Sequence, residues 1–281
     1  MRINALPVSF FPFCFFKNSF MKHFFFICCG IILFFSLFLA GCQKLVDGLL
    51  RRHADNPTTC KISSISYQLY DYTPSNAVFY NNRVGDPDSV IFTSQPTYGT
   101  AKFFYFKYDQ QLRLVAFNAY NDRNPENYFF THTYVYSDKG ILIADTARIS
   151  QDGVRQTFKF EIQYDSKGRV ISETGHLLHS NRVPEPITEP FILLYNYNAE
   201  GNINDVNRTY DTSSINFLRT SSILMFTERN YSKNNPSNIS GINDQGLPLG
   251  FPGIYHNEFL SNPWGLLQRT PPSQIKYDCT K

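Results

Sequence analysis

Residues 155–168 read RQTFKFEIQYDSKG, and this stretch decides the fold. Apolar or aromatic side chains occupy every second position from Phe158 to Tyr164, and polar side chains occupy the positions between them. Because alternate side chains of a β-strand point to opposite faces, this pattern predicts a strand with one apolar and one polar face. Asp165 then suits the first position of a type I turn, and Gly168 suits the fourth, where a left-handed backbone lets the chain return. The stretch therefore predicts a β-hairpin.

The same unit recurs along the chain. An aromatic run ends in a tyrosine at five places, which are 28, 28, 33 and 34 residues apart: Tyr108, Tyr136, Tyr164, Tyr197 and Tyr231. Three of these tyrosines are followed by turn sequences that end in glycine, at Gly140, Gly168 and Gly201. The turn at 232–235 would place Asn235 in the left-handed position, and the turn at 109–112 has Leu112 there, so we expect that turn to be shifted by one residue. The repeat predicts one β-hairpin per unit.

Aromatic and β-branched residues extend the strand pattern over the body of the chain, at 63–70, 103–108, 127–136 and 191–197. Outside residues 24–39, no window shows the sustained 3.6-residue apolar spacing of a helix. We therefore predict a single all-β domain over residues 60–281. It would be an antiparallel meander of β-hairpins that forms a curved sheet or a sandwich, with a loop-rich segment at 241–272.

The N-terminal region carries a targeting signal. A short basic stretch at 21–23 precedes an apolar segment of 16 residues at 24–39, which is shorter than a typical membrane-spanning helix. Leu39-Ala40-Gly41-Cys42 resembles the lipobox of bacterial lipoproteins at all four positions. That resemblance implies a signal peptide over residues 1–41 and a diacylated (palmitate-type) Cys42 as the new N-terminus. The alternative is an ordinary secretory signal with a coincidental Cys42.

Residues 1–20 are apolar and rich in phenylalanine, and two prolines interrupt them. We interpret them as a mis-annotated start, with translation beginning at Met21; the alternative is a longer membrane anchor. Residues 42–59 lack a strand pattern, and we interpret them as a lipidated tether between the membrane and the domain. The alternative for this segment is one or two amphipathic helical turns at the membrane surface.

The hairpin unit itself carries a second resemblance. YDSKGRV at residues 164–170 resembles the YD repeats of Rhs-type and wall-associated proteins, and a degenerate form of the pattern extends over residues 100–240. With its lipobox and tether, the chain resembles a largely uncharacterised group of exported bacterial lipoproteins. In Rhs proteins such hairpins form a shell around a cargo, and this chain has far too few repeats to enclose one. The resemblance therefore implies the hairpin architecture and no activity.

The charge balance argues against a nucleic-acid partner. Residues 1–41 contain three of the 26 basic residues and none of the 23 acidic ones, so the remaining chain has a formal net charge of zero. The basic isoelectric point of about 8.4 thus arises from the signal segment, and no basic footprint for nucleic acid remains.

Cysteine use agrees with export. After the signal is removed and Cys42 is lipidated, Cys60 and Cys279 remain, one near each end of the predicted domain. In an oxidising compartment such a pair predicts a disulfide, which would bring the last strand near the first. The alternative is two separate buried thiols.

The loop-rich segment suggests a ligand site. Trp264 is the single tryptophan of the chain, and Tyr255 and Phe251 lie near it in sequence. Aromatic rings stack on the apolar faces of sugars, so these three residues are a candidate glycan-binding platform. The alternative is that the loop packs over the sheet.

Catalytic and metal-binding patterns are missing from the sequence. His176 and His179 lie in a strand-like run, where residues three apart face opposite ways, so we interpret them as surface residues and predict no metal site. No phosphate-binding loop, zinc-protease motif, nucleophile elbow or dinucleotide fingerprint is present. We predict no cofactor, no catalytic residue and no enzymatic activity.

The sequence thus predicts a lipid-anchored protein of the cell envelope. Its leading function is a non-enzymatic binding or structural module whose partner is an envelope protein or a glycan. The first alternative is glycan binding near Trp264, and the second is a hydrolase with an unmarked site. By analogy with lipoproteins generally, Gln43 in place of an aspartate favours the outer membrane. The pattern does not distinguish the periplasmic from the cell-surface side.

Overall fold

Antiparallel strands make up most of the described residues. The computed structural model describes residues 59–67, 75–93, 101–122, 127–151, 153–182, 189–204, 209–237, 239–251 and 272–279, all within one unit of the chain, 51–281. The strands are β1 Cys60–Tyr67, β2 Ser75–Asn81, β3 Pro87–Phe92, β4 Phe103–Tyr108, β5 Leu114–Tyr120, β6 Tyr128–Tyr136, β7 Leu142–Gln151, β8 Val154–Tyr164, β9 Val170–Ser180, β10 Phe191–Leu194, β11 Tyr210–Ile215, β12 Asn234–Pro236 and β13 Gln274–Cys279. The helical elements of this part are a 3₁₀ helix, Phe217–Thr220, and α1, Ser222–Glu228.

Eleven of these strands form one sheet, in the order β10-β9-β8-β7-β6-β5-β4-β3-β2-β1-β13. Strands β1 to β10 therefore lie side by side in their sequence order, and every neighbouring pair is antiparallel. Strand β13 returns to pair with β1, while β11 and β12 form a separate two-stranded sheet. The prediction of an all-β antiparallel meander is confirmed.

One type of turn connects many of these strands. In each copy the fourth residue donates its N–H to the carbonyl of the first, and the first donates its own N–H to the carbonyl of the fifth. The described copies are 82–85, 109–112, 137–140, 165–168, 198–201 and 243–246. The fourth residue has a positive φ in every copy, and it is glycine in five of them. The predicted turns at 137–140, 165–168 and 198–201 are thus present.

The turn at 109–112 is not shifted, so our expectation of a one-residue shift is wrong. Leu112 itself takes the left-handed position, with φ 60°. Asp109 compensates for this conformation, because its carboxylate accepts the backbone N–H groups of Gln111 and Arg113 at 2.9 Å and the Nε–H of Arg113 at 2.6 Å. The aspartate at the first position therefore fixes the turn even without glycine at the fourth.

A tyrosine hydroxyl links each of these turns to a strand that follows later in the chain. In every described case the tyrosine O–H donates to the carbonyl of the residue five positions after the first residue of the turn. The pairs are Tyr108 with Pro87, Tyr136 with Leu114, Tyr164 with Leu142, Tyr197 with Val170, Tyr210 with Ile203 and Tyr277 with Pro248, at 2.5–2.9 Å. Four of the five repeated tyrosines of the sequence, all but Tyr231, are therefore bridging groups between neighbouring units.

The core lies on one face of the sheet. Phe92, Phe104, Phe117 and Phe130, from four successive hairpin strands, are fully buried, with ring centroids of neighbouring strands 5.4–6.0 Å apart. Each such ring contributes roughly 1.5–3 kcal/mol through burial. The 3₁₀ helix and α1 cover this face with their own buried apolar side chains, which are Phe217, Leu218, Ile223 and Leu224.

The segment around Tyr231 differs from our expectation. We predicted a hairpin with a turn at 232–235 and Asn235 in the left-handed position, and that prediction is wrong. Tyr231 instead follows α1, and the left-handed residue is Arg229, with φ 51°. The side chains of Asn234 and Asn235 bond backbone carbonyls at Ser214 and Ile215, so this tertiary pairing replaces the local turn. Helix α1 has seven residues, too few to produce a recognisable 3.6-residue period.

The two edges of the large sheet differ. At one edge, Cys60 of β1 faces Cys279 of β13, and the structure joins them in a disulfide, so the last strand lies beside the first, as expected. At the other edge lies β10, a strand of four residues with large exposed side chains: Ile192 is 58% and Leu194 is 68% exposed. Its Phe191 packs over Gly175 of β9, where a Cβ atom would overlap the ring.

Two opposite substitutions at the left-handed position of equivalent turns test the backbone strain there. Gly140 has φ +74° and its added Cβ would meet no described atom within 4 Å, so Gly140→Ala should lower the free energy of unfolding by about 1 kcal/mol through strain alone. Leu112→Gly should raise it, by up to about 1 kcal/mol, because the released strain is partly offset by the freedom of glycine in the unfolded chain. Urea unfolding measures both, and a change of the same sign in the two variants would contradict the assignment.

Candidate functional site

A cavity of about 360 Å³ lies beside the hairpin that decided the fold. Its walls come from the turn at 165–168 between β8 and β9, the turn at 198–201, the helical segment 219–226 and the chain after α1 at 231–233. Residues far apart in sequence thus meet here, because the meander places consecutive turns side by side and α1 packs over them. Sites for small ligands in proteins have volumes of about 300–1,000 Å³, so this cavity is at the small end of that range.

The lining is basic. Four cationic side chains reach the cavity, and these are Lys167, Arg169, Arg219 and Lys233. None of the described lining residues is acidic. Arg169 pairs with the carboxylate of Asp165, whose Oδ2 lies 2.7 Å from Nε and from Nη2 of Arg169. Asp165 also accepts the backbone N–H groups of Lys167 and Arg169, and these bonds, led by the one from Arg169, lower its pKa.

Arg169 is held in a fixed orientation. Its guanidinium lies over the ring of Tyr197 with 4.3 Å between the guanidinium carbon and the ring centroid, and Asp165 holds one edge of the group. Arg113 repeats this arrangement over Tyr136 two units earlier, at 4.9 Å and with Asp109 as its carboxylate. The guanidinium of Arg169, which borders the cavity, is therefore positioned by the tyrosine and the aspartate of the repeated unit.

The apolar part of the lining comes from α1 and the residue that follows it. Met225 and Phe226 lie on the half-buried side of the helix, and the ring of Tyr231 packs edge-on against Phe226 with 5.9 Å between centroids. Tyr195 packs edge-on against the other side of Tyr231, at 5.0 Å. The ring of Tyr231 is thus fixed between two aromatic neighbours.

Behind Tyr231 lies a buried cluster of charged groups. Glu173 of β9 is 1% exposed, and it accepts hydrogen bonds from the hydroxyls of Tyr231 at 2.9 Å and Tyr195 at 3.0 Å. Its other oxygen lies 2.7 Å from Nε of Arg229. Three donors therefore engage this one carboxylate, and they fix both tyrosines and the end of α1 relative to the sheet.

Arg229 extends the cluster to a second carboxylate. Its Nη2 lies 3.3 Å from Oδ2 of Asp145, which in turn lies 2.8 Å from Nδ1 of His132. The guanidinium also lies 3.9 Å from the ring centroid of Phe160. The Nε2 atom of His132 is buried and has no hydrogen-bond partner among the described residues. Two carboxylates thus share one arginine in the interior, where a lost partner leaves a costly unpaired charge.

This environment shifts the pKa of the tyrosines. Burial raises the pKa of Tyr231 well above its ordinary value, and the negative charge of Glu173 raises it further. Burial lowers the pKa of Arg229, but Glu173 and Asp145 outweigh that effect and raise it overall, so the guanidinium stays charged. The cluster is a permanent ionic anchor beneath the cavity wall.

Only some of the candidate site residues predicted from the sequence lie within the described residues. Phe251 is 2% exposed and packs against Phe217 at 5.6 Å, so its ring lies in the core. Tyr255, Trp264 and Cys42 lie outside the described residues, and the glycan platform and the lipidation stay predictions. His176 and His179 both lie on β9, opposite Lys159 and Thr157. The described residues contain no group of three or more side chains suited to a metal ion.

The basic cavity and the ionic cluster were not predicted from the sequence. His132 lies in phase with Phe130 and Tyr134 on β6, so its inward direction was readable from the strand alternation. No local pattern, however, indicates that Glu173 meets Arg229, because these residues are 56 positions apart and belong to a strand and to the end of a helix. The cavity lining likewise combines residues from distant parts of the chain, and no local pattern predicts that they meet.

The chain matches no known protein family. No curated protein matches it either. Among solved structures it is similar to a mutant Tc holotoxin pore from Photorhabdus luminescens, with 12% identity and a TM-score of 0.26. The similarity covers 50% of this chain and 9% of that one, and at this TM-score it supports no conclusion about fold or function. Within the described ranges, no helix is long and apolar enough to cross a membrane.

The ionic cluster predicts a large effect of a small substitution. Glu173→Gln keeps the shape of the side chain but leaves Arg229 with a weaker partner, and it should lower the free energy of unfolding by about 3 kcal/mol. The matched control is Glu161→Gln on β8, where the pair with Lys159 is exposed and screened by solvent, so its loss should change the free energy of unfolding very little. Chemical denaturation compares the two, and equal losses would contradict a special role of Glu173.

Alkaline pH provides a second test. Burial raises the pKa of Tyr197 from 10.0 to about 12, although the charge of Arg169 opposes that shift. A raised pKa in the folded state contributes stability that is complete below pH 10 and is lost as the pH rises towards 12. We expect tyrosinate absorbance and loss of the β circular-dichroism signal to rise together above pH 10, and Tyr197→Phe should make the pH dependence less steep. Ionisation of the tyrosines at pH 10 without any structural loss would contradict this.

Proposed function

We propose that this protein is a lipid-anchored protein of the bacterial outer membrane and that its β domain acts there as a non-enzymatic binding module. The anchor is supported by Leu39-Ala40-Gly41-Cys42, which follows the apolar segment 24–39 in the arrangement of a lipoprotein signal. The Cys60–Cys279 disulfide supports export, because such bonds persist in oxidising compartments and are rare in the cytosol.

The binding role rests on one observation, the cavity with four cationic side chains in its lining. The carboxylates close to it are already engaged. Asp165 binds the backbone of its own turn and Arg169, and Glu173 accepts bonds from two tyrosines and Arg229. Hydrolysis by paired carboxylates needs one of them to be free to move a proton. Cationic side chains, one of them a guanidinium held in place, together with aromatic rings instead suit recognition of a ligand.

A binding module also agrees with the rigid framework around the cavity. The turn at 165–168 is held by hydrogen bonds from Asp165, and the wall formed by Tyr231 is fixed by the buried cluster. Binding to a site that is already formed avoids the entropy cost of ordering loops. We propose an envelope component as the partner, because the lipid would keep the domain at the membrane.

Lipidation can be tested in a Gram-negative host. The full-length protein should appear in the outer-membrane fraction, and mass spectrometry of its N-terminal peptide should show a mature chain that begins at an acylated Cys42. Cys42→Ser should remove the acyl mass and the membrane association. Gln43→Asp is the matched control, since it should keep the lipid and retain the protein at the inner membrane. An unacylated wild-type N-terminus would refute the anchor.

A further inference from the structure

The cationic side chains of the cavity come from three separate elements. Lys167 and Arg169 belong to the hairpin of β8 and β9, Arg219 belongs to the 3₁₀ helix, and Lys233 follows α1. Bringing like charges together is electrostatically unfavourable unless an anion lies between them. We propose that this cavity binds a small oxyanion ligand, through a carboxylate or phosphate group that these side chains contact. This inference rests on the proposed binding role and is independent of the lipid anchor.

The two lysines are the most available of these cations. The ammonium groups of Lys167 and Lys233 have no acidic partner among the described residues, and both side chains are exposed at the cavity. Lys233 lies against Gly201 of the neighbouring turn, where an added Cβ would be 3.8 Å from the lysine Cβ. That distance is ordinary van der Waals contact, so the stem of Lys233 runs beside this turn along the wall.

Arg169 provides directional hydrogen bonding. A guanidinium has five N–H donors, and Asp165 contacts the Nε and Nη2 edge of this one. The stacking on Tyr197 holds the plane of the group, so the remaining donors have a fixed direction. A planar cation of this kind suits the oxygen atoms of a carboxylate or phosphate better than a mobile ammonium does.

The apolar lining indicates that the ligand is larger than the anionic group alone. Val170, Met225, Phe226 and Tyr231 form the less polar part of the wall. A ligand with a carboxylate or phosphate on a ring or short carbon body would place its charge among the cations and its body against these side chains. Acidic sugars have this combination, and inorganic phosphate has the charge without the body.

Calorimetric titration of the full-length chain in detergent at low salt tests the proposal. The probes are sodium glucuronate, inorganic phosphate and, as the neutral ring, glucose. We expect saturable binding of glucuronate, weaker binding of phosphate, no binding of glucose, and loss of affinity as salt is added. Lys167→Gln and Lys233→Gln should each weaken glucuronate binding about tenfold.

The repeat supplies a matched control. Lys139 occupies, in the turn at 137–140, the position that Lys167 occupies in the turn at 165–168, but it does not line the cavity. Lys139→Gln should bind like the wild type, and near-ultraviolet circular dichroism should show that all three variants are folded. Failure of both anions to bind, or equal weakening by Lys139→Gln, would overturn the proposal. Because Cys42→Ser should leave binding unchanged, failure of the cavity and failure of the anchor give different results.

Discussion

A hydrogen bond from a tyrosine hydroxyl to a main-chain carbonyl sets the spacing of this structure. Each such bond fixes the end of one strand against the start of the strand that follows an earlier turn, always at the fifth residue counted after the first turn position. The hydroxyl gives a hydrogen-bond partner to a main-chain carbonyl next to a turn, and a buried carbonyl without a partner is costly. The register of the meander, and with it the alignment of the aromatic core, follows from this repeated contact.

The buried cluster solves a different problem, which is how a short helix is held on a sheet. Helix α1 has only two turns and ends in a left-handed residue, so it would be unstable in isolation. Arg229 occupies that left-handed position and reaches carboxylates on β7 and β9. The guanidinium of Arg229 is costly to bury, but its ion pairs give the helix a single position on the sheet. The helix in that position forms one wall of the cavity.

The strands and most turns could be predicted from the sequence because they depend on local chemistry. Alternation of apolar and polar residues defined β8, and Asp165 with Gly168 defined its turn. The turns that begin at Asn82 and Asn243 follow the same pattern of asparagine and a fourth-position glycine and were readable in principle. Helix α1 and the ionic cluster were not, since a seven-residue helix shows no period and ion pairs between distant elements depend on the folded chain.

The tyrosine contacts also bear on how such a chain can change in length. In the central meander the tyrosine of each unit bonds the unit just before it, so these tyrosine contacts are complete between neighbouring units. Gene duplication of one unit of about 28 residues would therefore add a rung without disturbing the distant disulfide-closed edge. The short, apolar strand β10 forms the edge of the large sheet. A protein that gained or lost units next to this edge would need a new short strand to protect it from pairing with other chains.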